Sequence, residues 1–457
     1  MVGVQSLRER VLSDRKRLIV FVTWLVIALG SVPFERINDD EVIYFLEARH
    51  ILTTGPITHE KLVFVPQILG AFATGIYNSL LAARSVSALV VLATALLMYQ
   101  IRKDDSTFIA SMLYLTSFYT IRFGLRFFLD PYGGLFTILA TYFLYKGDAR
   151  YVGVSSALAA FSRQLAAPLF PIFALLSWRK KLGVWKFVLG FSLIVALGLV
   201  WIYLAGHAVL SAMGTNASEV FSASQLGISS VYDIVKGWIQ YVLISPLIVV
   251  GLVFCKFDWK RLEFYPMVFS SALLSFVPGF VLNGAATEYP YIFNTIACLA
   301  AGLGLADLYE RVRPQSKAIV KVVVVVLLVQ FAAQSYLTTA LTVNHTIGVQ
   351  DYGYWYDEQL LLYMNEHYQG GKIYSSTLDG LLNSRLAPNL VWIPQNITLA
   401  ILNDPQWLIT YRSYVIIVSV PANTTVHTIG PYIIIDRGQV PLALFILRTN
   451  TSSFILG

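Results

Sequence analysis

The segment SVPFERINDDEVIYFLEARHIL, residues 31–52, places three adjacent carboxylates, Asp39, Asp40 and Glu41, directly after the first apolar stretch of the chain. That stretch, residues 18–33, approaches the roughly 20 residues with which a helix spans a bilayer. The acidic residues therefore lie at a predicted boundary between lipid and water. We interpret the apolar stretch as a retained anchor, because no small-residue cleavage site follows it.

Composition places the whole chain in the membrane class. Of its 457 residues, 56% are hydrophobic and only 13% are charged, which excludes an ordinary soluble protein and predicts a polytopic helical membrane protein. The formal charge of +7 comes from Lys and Arg in short loops between apolar runs. That distribution is typical of membrane topology, so no nucleic acid is expected as a partner. Two cysteines are too few for a disulfide framework or a cysteine metal cluster.

Hydropathy and the basic loops predict about eleven transmembrane helices and a cytoplasmic amino terminus. The uncertain part is residues 151–177, which the pattern allows as two short helices or as one long tilted helix. One helix there would invert the topology of everything that follows. The predicted spans are residues 18–33, 80–100, 107–121, 132–146, 150–162, 164–178, 187–205, 237–255, 265–282, 291–308 and 318–336.

The predicted domain boundary follows the last span. Residues 1–336 form a transmembrane domain that includes an external loop, residues 34–79, and residues 337–457 form a small external α/β domain. In this tail, short apolar runs such as KIYSS, YVIIVSV and PYIIIDR predict buried strands, and YDEQLLLYMNEHY predicts a helix. The predicted topology also places five glycosylation sequons outside, at Asn216, Asn344, Asn396, Asn423 and Asn450.

The acidic run has a structural and a functional interpretation. Asn38 and Glu41 have the spacing of a capping box, so the run predicts the start of a helix. In that helix Asp40, Tyr44 and Glu47 share one face, opposite apolar residues that would lie along the membrane surface. Three carboxylates exceed what a cap needs. A catalytic base, a plain cap and the ion site of a transporter all remain open from the spacing alone.

Several motifs resemble, in their order, the GT-C glycosyltransferases, especially the protein O-mannosyltransferases and the lipid A aminoarabinose transferases. DDEVIYFLEARHILTTG (residues 39–55) is similar to their first external loop, with its Asp-Glu-x-x-Tyr-like pattern. AARSVSALVVLATALLMY (residues 82–99) resembles their second span, and RFGLRFFLDPYGGLF (residues 122–136) their second external loop. ALAAFSRQLAAPLFP (residues 157–171) resembles a following turn that carries a basic residue. The resemblance is good over residues 18–205.

The resemblance implies transfer of a sugar from a polyprenyl (dolichyl) phosphate to a hydroxyl acceptor on protein or lipid, at the external face and with inversion. Asp40 matches the acid of the family pattern and is the implied general base, with Asp39 as its nearest competitor and Glu41 as the third catalytic candidate.

Basic residues would stabilise the departing lipid phosphate. The candidates for donor-phosphate binding are Lys61, Arg126 and Arg163, and the candidates for orienting groups are Asp130 and Tyr44. Lys61 matches the family only approximately, since HEKLVFVP replaces a Lys-Pro-Pro-like segment, and ATEYPYIFN lacks the arginine that such a turn commonly carries. Arg126 could instead be an i,i+4 partner of Asp130.

Two other classes of function remain as alternatives. A transporter would use the same charges to coordinate a solute, and an oligosaccharyltransferase-like enzyme would hold a metal with Asp39, Asp40 and Asp130. The preferred hypothesis expects no cofactor and leaves a divalent metal open. Its partners are the polyprenyl-phosphate sugar, a protein or lipid-linked acceptor and membrane lipids. The expected location is an archaeal cell membrane or the endoplasmic reticulum of a eukaryote, with the carboxyl-terminal domain external.

Overall fold

The computed structural model describes residues 2–33, 39–53, 55–56, 64–77, 79–206, 244–255, 264–282 and 290–312, a few single residues in 235–242 and 360–367, and eight β-strands between Lys372 and Ile446. The chain divides into two compact units. The first contains Met1–Val32 and Glu47–Thr338, and the second contains Pro33–Leu46 and Thr339–Gly457.

Most of the described helices coincide with predicted spans, because long apolar runs bounded by polar residues fix where each helix begins and ends. The first helix begins at Val2, 16 residues before its predicted span, and the helix Val65–Ile76 lies within the predicted external loop, residues 34–79. The predicted span of residues 318–336 lies outside the described residues. A π-helical turn follows α5 and a 3₁₀ turn precedes α8. The helices are α1 (Val2–Ser31), α2 (Asp39–Thr53), α3 (Val65–Ile76), α4 (Leu80–Arg102), α5 (Asp105–Thr116), the π-helical turn (Thr120–Gly124), α6 (Asp130–Lys146), α7 (Ala149–Ala160), the 3₁₀ turn (Gln164–Ala166), α8 (Leu169–Arg179), α9 (Val184–Leu204), α10 (Pro246–Phe254), α11 (Phe264–Leu282) and α12 (Tyr291–Val312).

Three of the described helices are long and apolar enough to cross a membrane: Leu80–Arg102, Val184–Leu204 and Tyr291–Arg311. The helix α9 leaves most of its surface uncovered, with large apolar side chains such as Leu193 and Leu197 exposed. An uncovered apolar helix of this length is what a lipid-facing span requires. The protein is an integral membrane protein.

The first unit is a helical bundle with two chemically distinct ends. At one end, which we call the Asp105 end, Lys16 on α1 forms an ion pair with Asp105 at the start of α5. At the other, the Asp130 end, Arg84 on α4 donates from Nη1 to the carbonyl oxygen of Val32, 3.1 Å away. The hydroxyl groups of Ser87 and Tyr132, 3.2 Å apart, place the start of α6 at this same end. Helices α1, α4, α5 and α6 therefore alternate in direction.

The chain reverses direction within residues 161–168. Helices α7 and α9 are parallel, because Gly153 faces the backbone of Phe187 while Gly198 faces the side chain of Phe161. After the reversal, Lys180 lies over the ring of Tyr145, back at the Asp105 end. Residues 151–177 thus form two helices, α7 and α8, and the single tilted helix is excluded.

Among the three long apolar helices described above, α12 is the most buried. Its small residues let neighbouring backbones approach, since a Cβ on Gly302 would overlap Ser106 and Ala110 on α5, and a Cβ on Gly304 would overlap Gly251 on α10. Close contact through small residues is the usual way in which membrane helices pack. It fixes α12 against α5 and α10.

The second unit contains a mixed β-sheet and a smaller antiparallel sheet, so the strand predictions at KIYSS, YVIIVSV and PYIIIDR are confirmed. The five-stranded sheet has the order β2-β1-β4-β7-β6, and the three-stranded sheet the order β3-β8-β5. Strand β1 is parallel to β2 and to β4, and the remaining pairs are antiparallel. The strands are β1 (Lys372–Ser375), β2 (Leu390–Trp392), β3 (Ala400–Leu402), β4 (Gln406–Tyr411), β5 (Ile416–Val418), β6 (Thr425–Ile429), β7 (Tyr432–Asp436) and β8 (Leu442–Ile446).

Candidate functional site

The acidic run begins a helix where the capping pattern predicts it, since α2 starts at Asp39. The side chains of Asp39 and Asp40, the two foremost candidates for the base, lie outside the described residues. Glu41 and Tyr44 are described, and both side chains are buried. The structure therefore provides a helix for the predicted base without locating its carboxylate.

The buried face of α2 is not purely apolar. Leu52 is 52% exposed, as a lipid-facing residue would be, and among the described side chains of α2 the buried ones are Glu41, Tyr44, Phe45 and Ala48. Their spacing of three, four and seven residues is that of a helix face packed into protein. Packing against protein, rather than contact with lipid, selects the buried face of this helix.

Two of the three predicted phosphate-binding residues are described, Arg126 and Arg163, and both are buried. Lys61 lies outside the described residues. A buried guanidinium group is costly unless other polar groups surround it. Burial of Arg126 and Arg163 therefore indicates that this part of the bundle is built to hold charge.

Arg163 forms an ion pair with Asp130 at the Asp130 end. The distance from Nε of Arg163 to Oδ1 of Asp130 is 3.0 Å, and the side chains are only 6% and 2% exposed. Asp130 is the first residue of α6, where the helix dipole also favours a carboxylate. Asp130 was predicted to orient a basic residue, with Lys61 or Arg126 as the expected partner; the described ion pair is with Arg163.

Two local features position Arg163: the break between helices α7 and α8, and the glycine at position 133. Arg163 has an extended backbone and directly precedes the 3₁₀ turn, in the reversal between α7 and α8. A Cβ on Gly133 would lie 2.9 Å from the Cβ of Arg163. The absence of a side chain at Gly133, one turn after Asp130, therefore allows the arginine to cross α6 closely enough to reach the carboxylate.

Arg126 lies in an irregular segment between the π-helical turn and α6. Because α6 begins only at Asp130, Arg126 and Asp130 do not share a helix, so a pairing between them would not be the helical i,i+4 pair that the spacing suggests. The neighbours Phe127 and Phe128 are also buried, so the segment is held inside the protein. Single π-helical turns are frequent at functional sites, because they redirect the residues that follow.

Arg84 is a further buried charge at the Asp130 end, and sequence reasoning did not select it. Its side chain is fully buried, and its bond to the carbonyl of Val32 ties the start of α4 to the end of α1. The available signal was an arginine within an apolar predicted span, which is costly unless it has a specific partner.

A buried hydrogen-bonded network adjoins the π-helical turn and was also missed. The hydroxyl groups of Tyr114 and Tyr291 are 2.6 Å apart, and the side-chain amide of Asn294 donates to Oγ of Ser117 at 2.9 Å. Oγ of Ser117 in turn donates to the hydroxyl of Thr120, the first residue of the turn. Polar networks that are satisfied in this way fix one arrangement of a core. Here the network holds the turn that leads to Arg126.

Within the described residues, no group of three His, Cys, Asp or Glu side chains is arranged to hold a metal ion. Asp130, one of the residues considered as a metal ligand, faces the guanidinium of Arg163. The described partner of the Asp130 carboxylate is therefore a guanidinium group.

No protein-family model matches the chain, and no curated protein matches it. Among solved structures, the crystal structure of ArnT from Cupriavidus metallidurans bound to undecaprenyl phosphate is similar, with a TM-score of 0.57 and 11% identity. The similarity covers 93% of this chain and 97% of that one. The chain has the fold of ArnT. ArnT is a lipid A aminoarabinose transferase, so the predicted resemblance to that family is confirmed at the level of the fold.

A second similar structure is the archaeal oligosaccharyltransferase AglB from Archaeoglobus fulgidus in complex with an inhibitory peptide and a dolichol-phosphate. It has 12% identity and a TM-score of 0.48, over 87% of this chain and 69% of AglB. The fold assignment of this chain rests on ArnT, which it covers nearly end to end. Sequence identities this low carry over the fold and leave the reaction to be argued from the residues.

Proposed function

We propose that this protein is a membrane glycosyltransferase that transfers a sugar from a polyprenyl-phosphate donor to a hydroxyl acceptor at the external face. The observation that carries the proposal is the pair of Arg163 and Asp130, buried at one end of a GT-C bundle. A lipid phosphate needs a cation at the height of the membrane boundary, and Arg is well suited to phosphate because its planar fork of donors matches the oxygens.

The chemistry that this arrangement supports is displacement of the lipid phosphate from the anomeric carbon. As the bond from that carbon to the phosphate oxygen breaks, negative charge develops on the phosphate, and Arg163 and Arg126 would stabilise it. The carboxylate of Asp130 fixes the plane of the Arg163 guanidinium, so little reorganisation is needed during the reaction. Asp130 is then a positioning residue.

The base in this proposal is Asp40. It would take the proton of the acceptor hydroxyl as the oxygen attacks the face of the sugar opposite the phosphate, and the configuration at the anomeric carbon would invert. Asp39 is the competing base, and Tyr44 is an orienting residue on the same helix.

The topology that goes with this proposal has eleven spans, a cytoplasmic amino terminus and an external domain from residue 337. Support comes from the described helices α4 to α12, which alternate in direction, and from the basic residues at the Asp105 end, which the positive-inside rule assigns to the cytoplasm. The proposal also includes a dolichyl carrier and a location in an archaeal cell membrane or the endoplasmic reticulum. It further includes transfer without a metal ion and external glycosylation at the five sequons.

The test is transfer by purified protein in lipid nanodiscs from labelled short-chain polyprenyl-phosphate sugars, with and without a chelator. Wild type and the exposed control Arg311→Gln should transfer sugar in both conditions, whereas Arg163→Gln and Asp40→Asn should lose transfer. Inversion is checked by determining the anomeric configuration of the product.

Three outcomes would contradict the proposal. Loss of transfer on chelation would favour a metal-dependent, oligosaccharyltransferase-like enzyme, and uptake of a solute without transfer would favour a transporter. Normal transfer by Asp40→Asn together with loss in Asp39→Asn would move the base to Asp39.

A further inference from the structure

Gln67, in the first turn of α3, is fully buried and presents an unused acceptor. Its Nε2 donates to Oε2 of Glu47 on α2, at 3.0 Å. The other amide atom, Oε1, has no hydrogen-bond partner among the described residues. Because an ionised carboxylate only accepts hydrogen bonds, Glu47 fixes which way the amide points, and Oε1 faces away from it.

A buried amide oxygen without a donor is unfavourable, and proteins retain such atoms mainly where a ligand or an ordered water supplies the hydrogen. The donor that fits here is a neutral hydroxyl group, since an amide oxygen and a carboxylate side by side would attract hydroxyl hydrogens and repel a phosphate. The chemistry of this position is therefore opposite to that of Arg163.

The surroundings of Gln67 connect this position with the candidate site. Phe64, at the N-cap of α3, donates from its backbone N–H to the carbonyl of Phe161 at 3.2 Å, two residues before Arg163. The ring of Phe64 also stacks against Trp201, with centroids 5.8 Å apart. Gln67 therefore follows, by one helical turn, a residue that contacts the segment carrying Arg163.

Glu47 adds a link to the proposed base. It follows Asp40 by seven residues in one continuous helix, α2, so the two positions share a face and lie two turns, roughly 10 Å, apart along the helix. A sugar ring is several ångströms across, so hydroxyl groups distant from the reacting carbon fit the spacing from the base to Glu47.

We infer that Gln67 and Glu47 form a subsite that recognises a hydroxyl group of the transferred sugar. The inference rests on the proposed function and deepens it. Gln67 accepts a hydrogen bond from the hydroxyl through Oε1, and Glu47 holds the amide in the orientation that allows this. The subsite selects the sugar, while the arginines handle the phosphate that all donors share.

The experiment pairs one protein change with one substrate change. Gln67→Met keeps the size of the side chain and removes the acceptor, and Gln100→Met on α4 at the Asp105 end is the matched control. Transfer is measured for the best donor of a sugar panel and for its monodeoxy analogues. We expect Gln67→Met to lower kcat/KM about tenfold for the parent sugar and not at all for one deoxy analogue.

Binding separates this inference from the proposed function. Wild type should bind the polyprenyl-phosphate sugar more tightly than the bare polyprenyl phosphate, and Gln67→Met should lose that difference while its affinity for the bare carrier is unchanged. If wild type transfers no sugar, the proposed function fails. The difference in affinity between the sugar-bearing and the bare carrier then determines, by itself, whether Gln67 recognises the sugar.

Two results together would overturn the inference. Gln67→Met would still discriminate fully between the parent sugar and every deoxy analogue, and it would still bind the sugar-bearing carrier more tightly than the bare carrier. Gln67 would then be a structural amide that binds water. Should Gln67→Met not fold, Glu47→Gln serves in its place: it can still accept from the amide of Gln67 but frees that amide to turn over. Weakened discrimination supports the subsite, and unchanged discrimination refutes it.

Discussion

The two ends of the helical bundle use positive charge in opposite ways. At the Asp105 end, Lys and Arg side chains are exposed to solvent: Arg15, Arg102, Lys103, Lys146, Arg150, Arg179, Lys180, Lys181, Lys186 and Arg311. At the Asp130 end, Arg84, Arg126 and Arg163 are buried. Exposed charges contribute little to stability and set topology through their number, whereas each buried charge must have a specific place. The difference teaches that burial, and not charge, separates the basic residues that set topology from those that require specific partners.

The sharpest test of this comparison is a pair of matched substitutions at the two ends. Arg163→Gln should lower the rate of transfer by about 100-fold to 1,000-fold, because it removes a fixed donor to the developing charge. Arg179→Gln, at the exposed end, should leave the rate unchanged. Equal rates for the two variants in the transfer assay would remove the distinction between the ends. Arg163→Lys should keep part of the activity that Arg163→Gln loses, because lysine retains the positive charge but lacks the planar set of donors of the guanidinium group.

Arg84 tests whether a buried arginine can be purely structural. Arg84→Met should destabilise the bundle by about 1–3 kcal/mol, because the carbonyl oxygen of Val32 is left without its donor. We expect a lower Tm in detergent, measured by tryptophan fluorescence, and unchanged KM for the donor in the protein that remains folded. A raised KM at unchanged Tm would instead assign Arg84 to substrate binding.

The close passage of Arg163 over Gly133 gives a smaller effect. Gly133→Ala places a methyl group 2.9 Å from the Cβ of Arg163, so the arginine must shift. We expect the free energy of unfolding to fall by about 1–3 kcal/mol, as for other overpacked cores. We also expect kcat to fall by a larger factor than any change in KM. Gly30→Ala, where nothing lies within 4 Å of the added methyl group, is the control and should behave as wild type.

At the Asp105 end, the expected effect is a mild pH dependence of stability. Burial alone would raise the pKa of Asp104, but hydrogen bonds from Ser106 and Thr107 and the charge of Arg102 lower it below 3.8. A carboxyl whose pKa is lowered by folding stabilises the protein above its unfolded pKa and loses that contribution as the pH falls through the folded value. The Tm difference between wild type and Asp104→Asn should therefore be present at pH 7 and be lost as the pH falls through the lowered pKa of Asp104. A constant difference would contradict this.

The sequence predicted the helices well and the site only in part. Apolar runs between basic loops gave the bounds of α4 to α9 within a few residues, since burial in lipid leaves few alternatives to a helix. Arg163 stood out because a charge in an apolar stretch is costly. Its partner could not be found, because Asp130 is 33 residues away and only the packing of α6 against the reversal brings them together.

Two features were beyond sequence reasoning for different reasons. The faces of α2 depend on which side packs against protein, and a hydropathy pattern cannot distinguish that side from one that faces lipid. The acceptor of Gln67 depends on an amide whose orientation is set by Glu47, 20 residues earlier in the chain. No local pattern records such a contact.

The reversal at residues 161–168 also determines whether the chain crosses the membrane an odd or an even number of times. In the eleven-span topology proposed above, two passes meet at this bend, and merging them into a single straight helix would leave an even total. The last hundred residues would then emerge on the opposite face, together with Asn396 and Asn423. Eight residues that include Arg163 would thereby govern which compartment receives about a fifth of the polypeptide, so that loss of the ion pair with Asp130 and misrouting of the tail could share a single cause.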